Sequence, residues 1–121
     1  MSRAFVIQIH TGHGPAHFDL MVDRGEALET WQVLEDPAGL AVGQAATARK
    51  LPDHRRAYLT YEGPVSRGRG SVRIADGGQC EILERTDALL RARFAGRRMA
   101  GVFELVRPAG GDDWQLRRIG E

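Results

Sequence analysis

Cysteine, lysine and aromatic residues are all scarce in this chain of 121 residues. The single cysteine, Cys80, cannot form an internal disulfide, and the same count excludes a structural zinc site built from four cysteines. No apolar run approaches the ~18 residues that a membrane-spanning helix needs, and the first residues lack the apolar segment of a secretory signal. We therefore expect a protein of the reducing cytoplasm that has no membrane partner.

The two parts of the chain differ in charge, although the formal net charge is only +1. Residues 1–48 contain six acidic and two basic side chains, and the other basic residues all follow. Lys50 is the only lysine among 17 basic residues. Arginine suits the bidentate binding of phosphate oxygens. A compositional preference for arginine explains the count equally well, so charge alone does not identify a partner.

Short segments of β-forming residues, separated by turns rich in glycine and proline, predict an all-β, mainly antiparallel fold. Their spacing of about 8–12 residues is typical of a sandwich or a barrel. We expect one domain, residues 1–121, folded as a small closed or partly open barrel of about eight to nine strands with at most one short helix. Residues 35–50 are expected to form a loop or that helix. The predicted strands span residues 5–10, 17–22, 28–34, 57–62, 70–75, 80–84, 89–94, 101–107 and 113–119.

Three of the four histidines lie within residues 10–17, around a loop rich in glycine and proline. His17 and Asp19 share one face of a strand because side chains alternate with a period of two. The loop returns His10, at the end of the preceding strand, to the start of the next one. Two imidazoles and a carboxylate can then converge, a donor set that suits Mn, Fe or Zn with open coordination positions. A polar surface pair is the alternative, and His13 in the loop is either a rival ligand or solvated.

Two further groups of residues could contact a phosphate. His54 and Tyr58 share a face whether residues 52–58 are helical or extended, so an imidazole and a phenol can approach one site. The alternative is a charged surface turn with Tyr58 packed inward. Arg67 and Arg69 lie in a glycine-rich loop where the backbone can come close to a ligand, which makes them candidate phosphate contacts. A flexible charged turn is the alternative for that loop.

Taken in order, these segments resemble the 3′-phosphoesterase domain of bacterial DNA ligase D, and in particular its stand-alone subgroup. The first family block, Phe-Val-x-Gln-x-His followed by His-aromatic-Asp, matches residues 5–10 and 17–19. The second block is Asp-His, a tyrosine four residues after the histidine, and then aromatic-Glu-Gly. It matches residues 53–63. The resemblance extends over nearly the whole chain.

The resemblance implies a β-barrel in which His10, His17 and Asp19 hold a divalent metal, typically Mn²⁺, with Zn²⁺ or Co²⁺ as alternatives. It also implies that His54 contacts the scissile phosphate and that Tyr58 supports this contact. The implied hydrolase heals 3′ ends in DNA repair by removing a 3′-phosphate or a terminal 3′-ribonucleotide. Its substrates would be DNA or RNA-tipped ends of a primer–template or duplex, and a separate ligase or polymerase would be its partner.

This sequence departs from the family pattern at three points. Met21 stands where the ligase-linked domains carry an arginine, although the stand-alone subgroup often has methionine there. Pro52 replaces a glutamate. The interval from His10 to His17 is seven residues instead of the usual six, which keeps His13 as a rival ligand.

Two other functions follow from these observations. One is a DNA-end or phosphate-binding module that keeps the fold but has weakened catalysis. The other is a non-haem iron oxygenase, because His17-x-Asp19 with a distant histidine is similar to a facial triad. The oxygenase interpretation leaves the Asp53-His54 segment unexplained.

Overall fold

The computed structural model describes residues 1–121 as nine strands and two short 3-10 helices. The all-β prediction is therefore confirmed, and no helix is long and apolar enough to cross a membrane. The 3-10 helices are Pro37–Gly39 and Arg56–Leu59. The strands are β1 (Ser2–Thr11), β2 (His17–Asp23), β3 (Leu28–Val33), β4 (Ala45–His54), β5 (Gly63–Pro64), β6 (Ser71–Thr86), β7 (Leu89–Gly96), β8 (Ala100–Val106) and β9 (Trp114–Gly120).

Eight of the strands form a hydrogen-bonded ring in the order β1-β2-β3-β4-β9-β8-β7-β6, which β6 completes by pairing with β1. All pairings are antiparallel, and β5 adds a two-residue pairing to the start of β6. Each ring strand has two neighbours, as in a barrel, where backbone groups are paired on both sides. The predicted antiparallel barrel is confirmed in this form.

The interior of the ring is filled by one cluster of 18 buried residues, to which every ring strand contributes. Trp31 and Trp114 meet edge to face within it, with ring centroids 5.6 Å apart. On β1 and β2 the alternate positions face outward, and there Val6 and Met21 join Leu28 in a second, smaller cluster. The same strands therefore carry the core on one face and a second set of packed residues on the other.

The prediction for residues 35–50 is corrected at β4, which the structure extends as a strand from Ala45 to His54. Ala46 and Ala48 face the interior in the same cluster as the two tryptophans, and Ala48 pairs directly with Trp114. Small side chains at these positions leave room for the indole rings. Tertiary packing thus overrides the helical preference of an alanine-rich segment.

The predicted break between the strands 70–75 and 80–84 is also wrong, because β6 continues through residues 76–79 as one strand of 16 residues. The glycines there serve close backbone approach instead of a reversal of the chain. A Cβ on Gly78 would lie only 2.6 Å from the carbonyl oxygen of Ala95 on β7. Gly78 therefore allows the strands to approach where β6 is paired on both sides.

The third correction concerns residues 57–62, which form the second 3-10 helix and the start of a loop instead of a strand. Tyr58 and Leu59 pack onto the outer cluster of Val6, Met21 and Leu28. A short helix covers this apolar patch, which an extended segment would leave partly in water.

Asp76 ties β6 to the turn between β7 and β8. Its buried carboxylate accepts hydrogen bonds of 2.7 to 3.1 Å from the backbone N–H groups of Arg97, Arg98 and Met99. Burial acts to raise the pKa of Asp76, but these donors together with the N–H of Gly77 outweigh it and hold the pKa below its ordinary value.

We predict that Asp76→Asn lowers the free energy of unfolding at pH 7 by about 1.5–3 kcal/mol, because an amide accepts fewer of these hydrogen bonds and adds two donors. The lowered pKa means that the carboxylate stabilises the fold fully above its unfolded pKa of about 4 and loses this effect as pH falls through the folded pKa. Urea titrations at several pH values should show the difference from the parent protein shrinking below about pH 4. Asp112→Asn, at an exposed loop position, is the control and should change little at any pH.

Candidate metal centre

The register of β1 and β2 brings together the residues that the sequence singles out. His10 lies directly opposite His17, and Gln8 lies opposite Asp19. These positions alternate with the core-facing residues of the two strands, so their side chains lie on the outer face of the ring. A Gly/Pro-rich loop joins the two strands and sets this pairing.

One atom each of His10, His17 and Asp19 lies within 4.8 Å of the others. Nδ1 of His10 is 3.9 Å from one carboxylate oxygen of Asp19, and Nε2 of His17 is 3.4 Å from the other. The two imidazole centroids are 4.8 Å apart. Two nitrogens and a carboxylate thus face a common point, which is the arrangement of a small transition-metal site.

Backbone carbonyls hold the other ring nitrogens of the histidines. Nε2–H of His10 donates to the carbonyl of Arg69 at 2.6 Å, and Nδ1–H of His17 donates to the carbonyl of Pro15 at 3.2 Å. These hydrogen bonds imply neutral imidazoles that carry their proton on Nε2 of His10 and on Nδ1 of His17. The other nitrogens, Nδ1 of His10 and Nε2 of His17, therefore keep their lone pairs. The nitrogens that face Asp19 are therefore free to bind a cation, and the rings are oriented as in known metal sites.

Asp19 is buried, with only 4% of its surface exposed, and its Oδ1 has no hydrogen-bond partner. Burial raises the pKa of this carboxyl above its ordinary value, and the nearby imidazoles of His17, His54 and His10 act in the opposite direction. A buried carboxylate oxygen without a partner is costly unless a positive group neutralises it. The donor set and this unpaired oxygen fit a divalent cation.

The three candidate metal ligands line a cleft of about 700 Å³. His54 and Tyr58 also line it, with their rings in edge-to-face contact at a centroid separation of 5.8 Å. Nδ1–H of His54 donates to the carbonyl of Pro52 at 3.0 Å, which leaves Nε2 available to a ligand. The structure thus brings the two predicted groups, the histidine–aspartate group and the His54–Tyr58 pair, into one cleft.

His13 and Arg67 are placed differently from the other candidates. His13 lines the cleft and stacks on His10 at a centroid distance of 6.4 Å, but it is outside the three-residue cluster. Arg67 is exposed in a left-handed backbone conformation and does not line the cleft, whereas Arg69 does. Of the two predicted arginines, only Arg69 is a direct neighbour of the candidate metal residues.

Six of the 14 arginines that follow residue 48 form ion pairs on the barrel surface. One such network joins Glu104 to Arg91 and Arg117 across neighbouring strands, at 2.7 and 2.8 Å. Arg55 and Arg69, which line the cleft, form no ion pair with a carboxylate, and Arg55 lies over the Tyr58 ring. Positive charge that is not neutralised by acidic residues is thus present at the cleft.

Arg55 and Gln8 were not identified as site residues from the sequence. Gln8 is buried, and its amide donates to the carbonyls of Tyr58 and Tyr61 at 2.9 Å, which fixes the segment after His54. The signal for Gln8 was a lone polar residue in an apolar strand. No sequence signal distinguishes Arg55 from its neighbour Arg56. In the structure, Arg56 pairs with Asp23, whereas Arg55 lines the cleft.

The family model of the DNA Ligase D 3′-phosphoesterase domain matches residues 8–107. The chain belongs to this family. The match includes every residue of the candidate site and ends before β9. No match to a curated protein is found.

The position that carries an arginine in the ligase-linked members of the 3′-phosphoesterase family is Met21 here. Met21 is fully buried beneath the 3-10 helix Arg56–Leu59, packed with Val6 and Leu28. Its side chain therefore does not reach the cleft, and a cationic group there must come from elsewhere in the chain.

We predict that His17→Ala weakens Mn²⁺ binding by more than about 100-fold, because loss of a direct ligand costs more than the 10–100-fold of outer-shell changes. Isothermal titration calorimetry measures the affinity, and circular dichroism checks that the fold persists. His13→Ala is the matched control and should retain the parent affinity. Loss of binding in His13→Ala but not in His17→Ala would reverse the ligand assignment.

Gly70 is predicted to position His10 through the adjacent Arg69 carbonyl. A Cβ on Gly70 would lie 2.0 Å from the Thr11 carbonyl oxygen, so Gly70→Ala must displace this loop. We expect a loss of Mn²⁺ affinity of about 10–100-fold. Gly68→Ala is a matched control, since Gly68 has a similar positive φ but no atom within 4 Å of an added Cβ. Equal affinities for the two variants would contradict the positioning role.

Proposed function

We propose that the chain is a metal-dependent phosphoesterase that removes a 3′-phosphate from nucleic-acid ends and leaves a 3′-hydroxyl. The observation that carries this proposal is the convergence of His10, His17 and Asp19 in the same cleft as His54. Family membership supports phosphoester hydrolysis, and the cleft arginines support a phosphate ligand.

His10, through Nδ1, and His17, through Nε2, would hold the metal together with the Asp19 carboxylate. We propose Mn²⁺ as the resident ion, with Zn²⁺ and Co²⁺ as alternatives that the same ligands accept. When bound, the ion supplies Lewis-acid neutralisation of the negative phosphoryl oxygens. The carbonyls of Arg69 and Pro15 keep both imidazoles in the ligating tautomer.

His54 is proposed to contact the phosphate that is cleaved. Its Nδ1–H bond to Pro52 leaves Nε2 to donate, when protonated, to a phosphoryl oxygen. Tyr58 contacts the imidazole edge to face and supports its orientation. Such preorganised donors stabilise the charge that develops on the transferred group.

Arg55 and Arg69 are proposed to bind the non-bridging oxygens from the two sides of the cleft. Neither has an acidic partner. Nε and one terminal nitrogen of Arg69 donate to Ser66, but each guanidinium keeps N–H groups that can donate to a dianion. Arg67 is on the same loop as Arg69 but does not line the cleft. We propose that it contacts a backbone phosphate of the nucleic acid next to the 3′ end. This arrangement supplies the positive charge that Met21 does not.

The proposed substrates are the 3′ ends of a DNA primer–template or duplex, including RNA-tipped ends from which a terminal 3′-ribonucleotide is removed. A 3′-hydroxyl is the group that strand extension and sealing require, so a separate polymerase or ligase would act on the product in DNA repair. We propose the cytoplasm as the compartment, because a chain with a single buried free cysteine and no disulfide suits a reducing environment.

The test is release of inorganic phosphate from a 3′-phosphate primer–template in the presence of Mn²⁺. A 5′-phosphate duplex and a reaction with chelator are the controls and should release none. Absence of release from protein that has been shown to bind Mn²⁺ would overturn the enzymatic proposal.

A phosphate-binding module with weakened catalysis is the second candidate, favoured by the burial of Met21 where an arginine stands in the ligase-linked members. It predicts tighter binding of 3′-phosphate than of 3′-hydroxyl ends without turnover. The binding should weaken steeply with salt, since phosphate contacts release counterions.

We predict that His54→Ala lowers kcat for phosphate release by about 100-fold or more, the usual cost of removing one transition-state donor. Mn²⁺ affinity should remain close to that of the parent, because His54 lies outside the three-residue cluster. Arg98→Ala, which breaks a surface ion pair with Asp36, is the control for charge removal and should retain full activity. Parent-like kcat in His54→Ala would remove His54 from the mechanism.

A further inference from the structure

A second, smaller cavity adjoins the metal cleft and shares Arg55 and Tyr58 with it. Its volume is about 200 Å³. The remaining lining residues are Ala57, Tyr61, Pro64 and Ser66. No carboxylate lines this cavity, and its largest walls are the two tyrosine rings.

Tyr61 is both exposed and held in place. Its side chain is 36% exposed, its hydroxyl donates to the carbonyl of Pro64, and its ring meets Tyr58 edge to face at 5.5 Å. The backbone of Tyr61 is fixed as well, because its carbonyl accepts a hydrogen bond from the buried Gln8. An aromatic ring restrained at three points offers a preorganised stacking surface with little conformational entropy to lose.

The size and lining of the cavity restrict its occupant. Pockets for whole small-molecule ligands occupy about 300–1,000 Å³, so this cavity suits a single flat group. Its walls are aromatic and apolar apart from Ser66 and the guanidinium of Arg55. A planar ring attached to a negatively charged group fits these walls, with the charge directed toward Arg55 and the metal cleft.

We propose that this cavity binds the nucleobase of the 3′-terminal nucleotide, stacked on Tyr61, while the attached 3′-phosphate lies in the metal cleft. The inference rests on the proposed function and adds a subsite to it. Arg55 lies at the junction of the two cavities, between base and phosphate. Because stacking uses the π-face that every base has, and the base meets no buried polar group, the subsite accepts all four bases.

The experiment measures binding of oligonucleotides whose bridging 3′-oxygen is replaced by CH₂, a phosphonate end that is not hydrolysed. One probe carries the fluorescent base 2-aminopurine at the terminal nucleotide, and a matched probe carries an abasic site there. With Mn²⁺ present, we expect the 2-aminopurine fluorescence to fall on binding, because the base stacks on an aromatic ring. The base-containing probe should bind about tenfold more tightly than the abasic probe.

Two variants at Tyr61 separate stacking from support of the loop. Tyr61→Phe keeps the ring and loses the hydroxyl bond to Pro64, so it should retain the quenching and the preference for a base. Tyr61→Leu keeps apolar bulk without a π-face, so it should lose both while binding the abasic probe as the parent does. Weaker binding of both probes to Tyr61→Leu would instead assign Tyr61 a structural role and overturn the subsite.

The remaining outcomes distinguish this inference from the proposed function. If the parent protein binds both probes equally and the fluorescence does not change, the base subsite is wrong while phosphate recognition stands. If the parent binds neither probe and releases no phosphate from a 3′-phosphate end, both proposals fail together.

Discussion

The antiparallel register between β1 and β2 is the constraint on which the candidate site depends. It sets His10 against His17 and Gln8 against Asp19, and the period of two places all four on the face opposite the core. A slip of one residue would turn the imidazoles and the carboxylate into the barrel interior and bring apolar residues such as Ile7 to the surface. The interior packing that prevents this slip therefore also preserves the geometry of the outer face.

Loop segments of the backbone orient the imidazole rings of the candidate site. Three of the four histidines that line the cleft, His10, His17 and His54, each donate one ring N–H to a main-chain carbonyl. These carbonyls belong to Arg69, Pro15 and Pro52 respectively. Because these acceptors are main-chain groups, a substitution does not remove them. The path of the backbone therefore sets the tautomer of each imidazole. The glycine- and proline-rich segments around the cleft thus act as the outer shell of the site, a role that carboxylate side chains fill in many metalloenzymes.

Local signals predicted much of this arrangement, and long-range packing accounts for the rest. The convergence of His10 with Asp19 could be predicted because strand alternation and the returning loop are both encoded within ten residues. The strand containing Ala46 could not, because its conformation follows from tryptophans contributed by other strands. The continuity of β6 through Gly78 was missed for a related reason, since that glycine responds to a neighbouring backbone and not to a turn. Arg55 was missed because only the fold distinguishes it from the other arginines of the chain.

Completion of the ring has a consequence for how the molecule is assembled. β1 and β2 are neighbours along the chain and can pair as a hairpin, whereas β1 and β6 are separated by some 60 residues and pair along the full length of β1. Contacts between such distant segments form slowly, since a long loop must first be closed. The carbonyl of Arg69 reaches His10 only with that late pairing. A nascent chain that has emerged as far as β2 already carries His10, His17 and Asp19, yet it lacks the carbonyl that orients His10. The geometry of the candidate site is therefore complete only after the middle of the chain has been synthesised.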